Sequence, residues 1–159
     1  MKILILGLGN TLLSDEGVGA HVLAALSGQL DPDDDSVELL DGGTLSFTLA
    51  VPIAEANALI VVDAAQLHAE PGSTAVFEGE AMDHFLAGNR KASVHEVGLV
   101  DLMQIARLTD SWPARRALVA IQPVRVDWGE HPTEAVAAAV PVACAQIQSL
   151  IGAWRHVPG

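Results

Sequence analysis

Two carboxylates and one histidine are the residues best suited by type and position to carry chemistry in this sequence. Glu16 follows a glycine-rich turn, Asp63 ends a wholly apolar run, and His95 lies near the start of a predicted helix. Two anionic oxygens and one neutral imidazole make a three-ligand site for a divalent metal ion, with coordination positions left open. Such donors suit nickel, zinc, manganese or iron, and the residue types alone do not choose among these metals.

Other common catalytic arrangements are missing from the sequence. The third glycine of a GxGxxG dinucleotide fingerprint would fall on Leu12, and no Walker A lysine follows. A GxSxG nucleophile elbow is absent, and Cys144 has no histidine near it in sequence. Nucleotide-dependent oxidoreductases and ordinary covalent hydrolases are therefore disfavoured.

A parallel sheet would bring the three candidate ligands together. Five short apolar runs are typical of strands in a sheet covered on both faces: Lys2–Gly7, Val37–Asp41, Leu59–Asp63, Thr74–Glu78 and Ala117–Pro123. The connection 70–73 is too short for a helical crossover, so the fourth strand is predicted to be antiparallel. We expect a three-layer α/β/α sandwich that binds ligands where its strands end, beside a topological switch point.

Helical patterns separate most of these strands. The first runs from about Asp15 to Leu26, so Glu16 falls in a first turn, where the helix dipole favours a carboxylate. The second, over roughly residues 45–55, is interrupted by proline and is expected as short pieces. The third begins at the capping box Ser93-x-x-Glu96, which would place His95 where the dipole keeps imidazole neutral.

A last helix is predicted from an apolar stripe near the end of the chain. The stripe consists of Val136, Val140, Cys144, Ile147, Ile151 and Trp154. Pro141 is expected to kink this helix or to mark a new first turn. Cys144 is therefore interpreted as a core residue.

Composition and charge narrow the class of protein. The chain has 159 residues, a length typical of one domain, so we predict one domain over residues 1–159. Its formal net charge is −12. Such an acidic chain repels phosphate backbones and anionic lipid headgroups, which makes nucleic acid and membranes poor partners. A single cysteine cannot form an internal disulfide, and a cytoplasmic protein is expected.

Each candidate residue also has an ordinary structural interpretation. Glu16 can favour a helix N-terminus, Asp63 can cap a turn, and His95 can be a surface histidine. The segment Asp41-Gly42-Gly43-Thr44 can be a strand-ending turn that needs positive φ. On the residues alone, a metal site and these structural roles both stay open.

The order of these motifs along the chain resembles that of the hydrogenase maturation endopeptidases. The opening, ILILGLGNTLLSDEGVG over residues 3–19, resembles the family signature GxGNxLxxD(D/E)GxG. The segment 41–44 resembles the family's DGGT turn, Asp63 its strand-end aspartate, and the segment 93–99 its histidine segment. The sequence differs from the family pattern in having Glu16 where many members have Asp, and in lacking a glycine soon after DGGT.

The resemblance implies an endopeptidase that removes the C-terminal extension of a nickel-loaded nickel–iron hydrogenase large-subunit precursor. It implies a mixed sheet in the order 2-1-3-5-4, and nickel that arrives with the precursor rather than as a permanent cofactor. The implied nickel ligands are Glu16, Asp63 and His95, and the implied substrate-binding segment is Asp41, Gly42, Gly43 and Thr44. It implies no particular catalytic nucleophile. The alternative is a non-catalytic α/β module that binds a divalent metal or a nickel-loaded partner protein.

Overall fold

The computed structural model describes residues 1–43, 47–88, 98–124 and 129–156. Its strands are β1 Ile3–Leu8, β2 Val37–Gly43, β3 Ala58–Ala64, β4 Thr74–Glu78 and β5 Arg115–Ile121. They form one sheet in the order β2-β1-β3-β5-β4, in which only β4 runs antiparallel to its neighbour. The predicted strand order and the antiparallel fourth strand are therefore confirmed.

Helices cover both faces of this sheet. They are α1 Val18–Ser27, α2 Ala50–Glu55, α3 Glu80–Gly88, α4 Leu99–Leu108 and α5 Glu134–His156, with 3₁₀ turns Ser14–Gly17 before α1 and Phe47–Leu49 before α2. One core cluster joins the sheet to α1 and α5, and a second joins it to α2, α3 and α4. The three-layer sandwich is therefore the observed architecture.

The side chains of β1 point alternately to the two faces of the sheet, and both faces are covered, which explains why its sequence is apolar throughout. Ile3 and Ile5 belong to the cluster on the α1 side, whereas Leu4 and Leu6 belong to the cluster on the α2 side. All of β1 is buried because the strand lies in the interior of the sheet with helices on both faces.

The helices nearest the candidate ligands begin later than the sequence patterns predict. Glu16 lies in the 3₁₀ turn before α1 rather than in its first α-helical turn. The predicted start of the third helical pattern at Ser93 is wrong for α4, because Gly98 is its N-cap with extended backbone. The Asp101 carboxylate accepts the Gly98 N–H at 2.8 Å and caps this start, since glycine has no side chain to act as the capping group. His95 and the predicted Ser93 to Glu96 capping box lie outside the described residues.

Two other helical features differ from or refine the predictions. Helix α3, between β4 and α4, was not among the predicted elements. The region around α2 does form two short pieces, and Pro52 is accommodated in the first turn of α2, where a backbone N–H is not needed. A short helix of mixed composition gives a weak periodic signal, which explains why α3 is hard to detect in sequence.

Helix α5 is the longest element and passes through Pro141 without interruption. Within the described residues it is the one helix long and apolar enough to cross a membrane by length and composition. Its apolar stripe instead packs into the core with α1, and the Cys144 thiol lies 3.7 Å from the Val22 carbonyl oxygen. Cys144 is only 1% exposed, which confirms its interpretation as a core residue. Burial raises the pKa of the Cys144 thiol.

A buried carboxylate joins three elements at the amino end of β5. The Arg116 guanidinium donates to both oxygens of Asp83, at 2.9 and 2.6 Å, and Trp112 Nε1 donates at 3.0 Å. Arg107 of α4 adds a contact at 3.3 Å. Burial raises the pKa of Asp83, but the hydrogen bonds from Arg116 and Trp112 and the nearby positive charges outweigh it and hold this pKa below its ordinary value.

Replacement of Asp83 is expected to change how stability depends on pH. Because the folded-state pKa of Asp83 is lowered, its contribution is present above the unfolded pKa of about 4 and is lost as the pH falls through the folded value. Asp83→Asn should lower the free energy of unfolding by roughly 2 to 4 kcal/mol at pH 7, and the deficit should shrink at pH 3. Urea denaturation at both pH values measures this, with Asp35→Asn, at an exposed position, as control. A deficit that stays constant with pH would contradict the assignment.

Candidate functional site

The candidate site lies where β1 and β3 end, at the topological switch point of the sheet. The connection after β1 passes through α1 on one face, and the connection after β2 passes through α2 on the other. Such a divergence opens a crevice at the carboxyl ends of the two central strands. Glu16 follows β1, and Asp63 is the penultimate residue of β3.

The glycine-rich loop after β1 folds back so that Glu16 lies over Gly9. Gly9 has a φ of +112°, and a Cβ there would lie 1.8 Å from the Glu16 carbonyl oxygen. Any side chain at this position would therefore collide with the returning backbone. The Asn10 side chain helps to turn the loop by accepting the Leu12 N–H at 2.9 Å.

The start of α1 lies directly across the ends of β1 and β3. A Cβ at Gly19 would lie 2.4 Å from the Leu8 carbonyl oxygen and 2.7 Å from that of Val62. Only glycine permits such an approach of a helix to two strand ends. Since Val62 immediately precedes Asp63, this contact places the start of α1 and the preceding 3₁₀ turn beside the end of β3.

Glu16 and Asp63 are both partly buried at this edge of the sheet. One Asp63 oxygen, Oδ1, is fully enclosed. Asp63 is in register with Ala120 of the α4-side cluster, so strand alternation directs its side chain toward the layer of α2 and α4. Leu99, the first residue of α4, belongs to that same cluster. The elements therefore bring Glu16 and Asp63 to one edge, whereas His95 lies outside the described residues.

The remaining histidines do not add to this pair. His68, His84, His131 and His156 are exposed, and His21 is partly buried in α1. Across residues 1–43, 47–88, 98–124 and 129–156, no group of three possible metal-ligating His, Cys, Asp or Glu side chains is assembled. A three-ligand site at this edge would thus take its third ligand from outside these ranges.

Asp15 is a structural residue that the sequence analysis did not single out. Its side chain is 0% exposed and accepts hydrogen bonds from Thr133 N at 2.6 Å and from Val124 N at 2.7 Å. The Thr133 hydroxyl donates to the same carboxylate at 2.9 Å. Asp15 therefore ties the glycine-rich loop to the segment between β5 and α5. The spacing of Asp15 is the one signal in the sequence that indicates its burial. At helical spacing, residue 15 falls on the same face as Val18 and Val22, and both valines are buried.

Ser14 extends this attachment beside Asp15. Its N–H donates to the Gly129 carbonyl at 2.7 Å, and its hydroxyl donates to the His131 carbonyl at 3.0 Å. Ser14 has a φ of +46°, an uncommon conformation for a residue with a side chain. Ser14 and Asp15 thus both fix the loop that carries Glu16 to the segment between β5 and α5.

The predicted turn at 41–44 begins at the end of β2. Asp41 Oδ1 accepts the Gly43 N–H at 2.9 Å, and Gly43 has a φ of +52°. The Gly43 carbonyl in turn accepts the Gly9 N–H at 2.9 Å, next to an irregularity in the pairing of β1 with β2. The expected need for positive φ is confirmed at Gly43, and the turn is joined to the loop that carries Glu16. Thr44 lies outside the described residues.

Gln122 shapes the segment that follows β3. It is 6% exposed, and its side-chain oxygen accepts the Leu67 N–H at 2.7 Å. Its backbone N–H donates to the Ser73 carbonyl at 2.8 Å. The chain that leaves Asp63 is therefore fixed against the end of β5 by a buried amide, a role for which the sequence carries no distinctive motif.

Comparisons with known proteins agree on one family. The family model described as hydrogenase maturation protease matches residues 20–150. The chain is 33% identical over 154 residues to the hydrogenase expression/formation protein HupD of Rhizobium leguminosarum bv. viciae, an alignment that covers 96% of this chain and 75% of that protein. It is also 33% identical over 148 residues to the hydrogenase 2 maturation protease of Escherichia coli strain K12, covering 92% and 88% of the two chains.

A solved structure supports the same relationship at the level of the fold. The hydrogenase maturating endopeptidase HybD from E. coli matches with a TM-score of 0.83 and 33% identity, over 94% of this chain and 91% of that one. Sequence and fold therefore agree over almost the whole chain. The chain belongs to the hydrogenase maturation protease family and is a peptidase.

Proposed function

We propose that this peptidase removes the C-terminal extension from the large-subunit precursor of a nickel–iron hydrogenase, and that it recognises the precursor by its bound nickel. The observation that carries the proposal is the placement of Glu16 and Asp63, two partly buried carboxylates, at the switch point of a fold shared with the maturation proteases. The buried contacts of Asp15, Gly19 and Gln122 hold the supporting backbone in place.

The proposed nickel ligands are Glu16, Asp63 and His95, and the nickel is part of the substrate. Two carboxylates and an imidazole satisfy only part of the coordination sphere of a divalent ion. Nickel held by thiolates of the precursor would complete its sphere by binding these three side chains. Recognition then depends on loading, because an empty precursor offers nothing for the ligands to bind.

Hydrolysis by water is favoured over attack by a protein nucleophile. The Ser14 hydroxyl is only 3.0 Å from the His131 carbonyl, to which it donates, and the Cys144 thiol is buried between α5 and α1. In the proposed reaction a water oxygen attacks the scissile carbonyl carbon, the carbon–nitrogen bond breaks, and the water protons pass to the new carboxyl and amine groups. A nearby metal ion assists such attack by polarising the carbonyl or the water.

The proposed setting is the cytoplasm, with the precursor as partner and neither nucleic acid nor membrane as a binding surface. The net charge of −12 opposes association with phosphate-rich surfaces. The segment 41–43, joined by hydrogen bonding to the loop of Glu16, is proposed to contact the precursor together with Thr44.

Cleavage should require nickel in the precursor. Purified protein is incubated with the precursor prepared with and without nickel, and the C-terminal mass is measured. The loaded precursor should lose its extension and the empty precursor should not, because only the loaded form completes the coordination of the three ligands. Equal cleavage of both forms would reject recognition through nickel. Binding of the loaded form without any cleavage would contradict the proposed processing of this precursor.

His95→Ala should weaken nickel binding by the isolated protein. The substitution removes the one proposed nitrogen ligand, and calorimetric titration should show at least about a tenfold rise in Kd. Wild-type affinity should also fall at acidic pH, since protonated imidazole cannot bind a metal. His84→Ala, at an exposed position on α3, is the control. Unchanged affinity in His95→Ala would remove this residue from the site.

The neighbouring acids Asp15 and Glu16 should respond differently to the loss of charge. Glu16→Gln should leave the folded state nearly as stable as wild type but reduce cleavage at least about tenfold, because it removes a metal ligand. Asp15→Asn should lower the free energy of unfolding by about 1 to 3 kcal/mol, because buried N–H donors lose a charged acceptor. Urea denaturation and cleavage assays on both variants separate these effects. A stable Asp15→Asn protein would contradict the structural role.

A further inference from the structure

Strand β2 forms one edge of the sheet and ends beside the candidate site. Within the part of the chain that the structure describes, β2 pairs with β1 on one side only. Its carboxyl end is the segment Asp41 to Gly43, which hydrogen bonds to the loop that carries Glu16. An unpaired strand edge thus leads directly to the position of the proposed nickel ligands.

The register of β1 and β2 determines which backbone groups of β2 point away from the sheet. The Ile3 N–H donates to the Ser36 carbonyl, and Ile3 is the register partner of Val37. In a parallel ladder, the groups that point to one neighbour alternate along the strand. Residues 36, 38 and 40 therefore point toward β1, whereas the N–H and C=O groups of Val37, Leu39 and Asp41 point outward.

The outer edge of β2 has few of the features that normally prevent another strand from pairing. β2 is seven residues long, contains no proline or lysine, and presents half-buried Val37, Leu39 and Leu40. Natural proteins usually protect an exposed edge with proline or lysine, with a bulge or with a covering element. The one irregularity in β2 lies at its carboxyl end, next to the site.

The opposite edge of the sheet is less suited to the same purpose. Strand β4 is separated from β3, and hence from Asp63, by β5. β4 is also shorter, at five residues, and runs toward the amino end of the sheet. Two strands, β5 and β3, lie between β4 and the crevice, whereas only β1 lies between β2 and the crevice.

We propose that the C-terminal extension of the precursor binds as an added antiparallel strand along the outer edge of β2. This inference rests on the proposed function and deepens it by identifying where the extension lies. In the proposed function, the precursor's nickel is bound by Glu16, Asp63 and His95 at the carboxyl end of the sheet, and the scissile bond lies between the nickel-bearing part of the precursor and the extension. The extension, which follows the scissile bond, must then run away from that end, opposite in direction to β2.

The edge also has the dimensions and charge to hold an extended peptide. From Asp41 to Val37 it offers roughly 13 Å of backbone, which pairs with about five residues of the extension. Backbone pairing of this kind accepts varied side chains because the hydrogen bonds are made by main-chain groups. Beyond Val37 lies the loop 31–36, in which Asp33 and Asp35 are exposed. The far end of the extension is therefore expected to be neutral or basic rather than acidic.

Val37→Pro tests the pairing at a position remote from the nickel ligands. Proline removes the outward N–H of Val37 but no ladder hydrogen bond to β1, and Val37→Ala is the matched control that keeps the N–H. Val37→Pro should lower kcat/KM for the loaded, full-length precursor roughly three- to tenfold relative to Val37→Ala. Both variants should cleave a loaded precursor with only three residues after the scissile bond equally well, because that chain does not reach Val37.

The outcomes separate this inference from the function on which it rests. Equal cleavage of the full-length precursor by both variants would overturn the strand pairing and leave the protease intact. Failure of the wild-type protein to cleave the loaded precursor would overturn the proposed function, and the strand pairing with it.

Amide hydrogen exchange of the wild-type protein provides a second test that does not depend on a substitution. A synthetic peptide with the sequence of the extension should slow exchange at the amides of Val37, Leu39 and Asp41. The amides of Glu38 and Leu40, already bonded to β1, should change little, so protection should alternate along the strand. Uniform protection, or none at a peptide concentration that inhibits cleavage, would contradict an added strand.

Discussion

The close approach of α1 to the ends of β1 and β3 is the constraint on which the site depends. It requires glycine at position 19, where a Cβ would lie 2.4 Å from one strand-end carbonyl and 2.7 Å from another. Because the helix lies so near the sheet, the preceding 3₁₀ turn sits beside β3 rather than above open solvent. Glu16 and Asp63 therefore lie at the same edge of the sheet, although they are far apart in sequence.

A buried carboxylate next to Glu16 makes that placement rigid. Asp15 and Glu16 are adjacent, yet Asp15 is fully enclosed by backbone and hydroxyl donors of residues 124 and 133, whereas Glu16 is only partly buried. A carboxylate whose oxygens accept several hydrogen bonds is fixed in orientation, and so is the backbone that carries it. The position of the Glu16 backbone is thereby set by its neighbour.

The strands follow from the sequence because each is a short apolar run with a clear boundary, and the connection 70–73 leaves room only for an antiparallel fourth strand. The full strand order was predicted from the family resemblance rather than from these runs. The start of α4 was placed wrongly because Ser93-x-x-Glu96 matches the sequence pattern of a capping box, whereas Gly98 has no capping side chain and its hydrogen bond to Asp101 is a weaker signal in sequence. The roles of Asp15 and Gln122 were not found, since their partners are backbone groups distant in sequence. Glu16 and Asp63 were singled out because Glu16 follows β1 and Asp63 lies near the end of β3, and these two strands end at the same edge of the sheet.

Three regions of the sheet differ in what they require of their residues: the amino end of β5, the carboxyl end of the central strands, and the edge formed by β2. At the amino end of β5, arginines neutralise the Asp83 carboxylate and a tryptophan donates a hydrogen bond to it, so this charge contributes to stability. At the carboxyl end of the central strands, Glu16 and Asp63 are acidic groups on backbone held by glycines and buried amides. Charges fixed on such a scaffold are suited to the cation that the precursor is proposed to bring. The edge of β2 completes the division, because its outward main-chain groups are proposed to pair with the extension of the precursor.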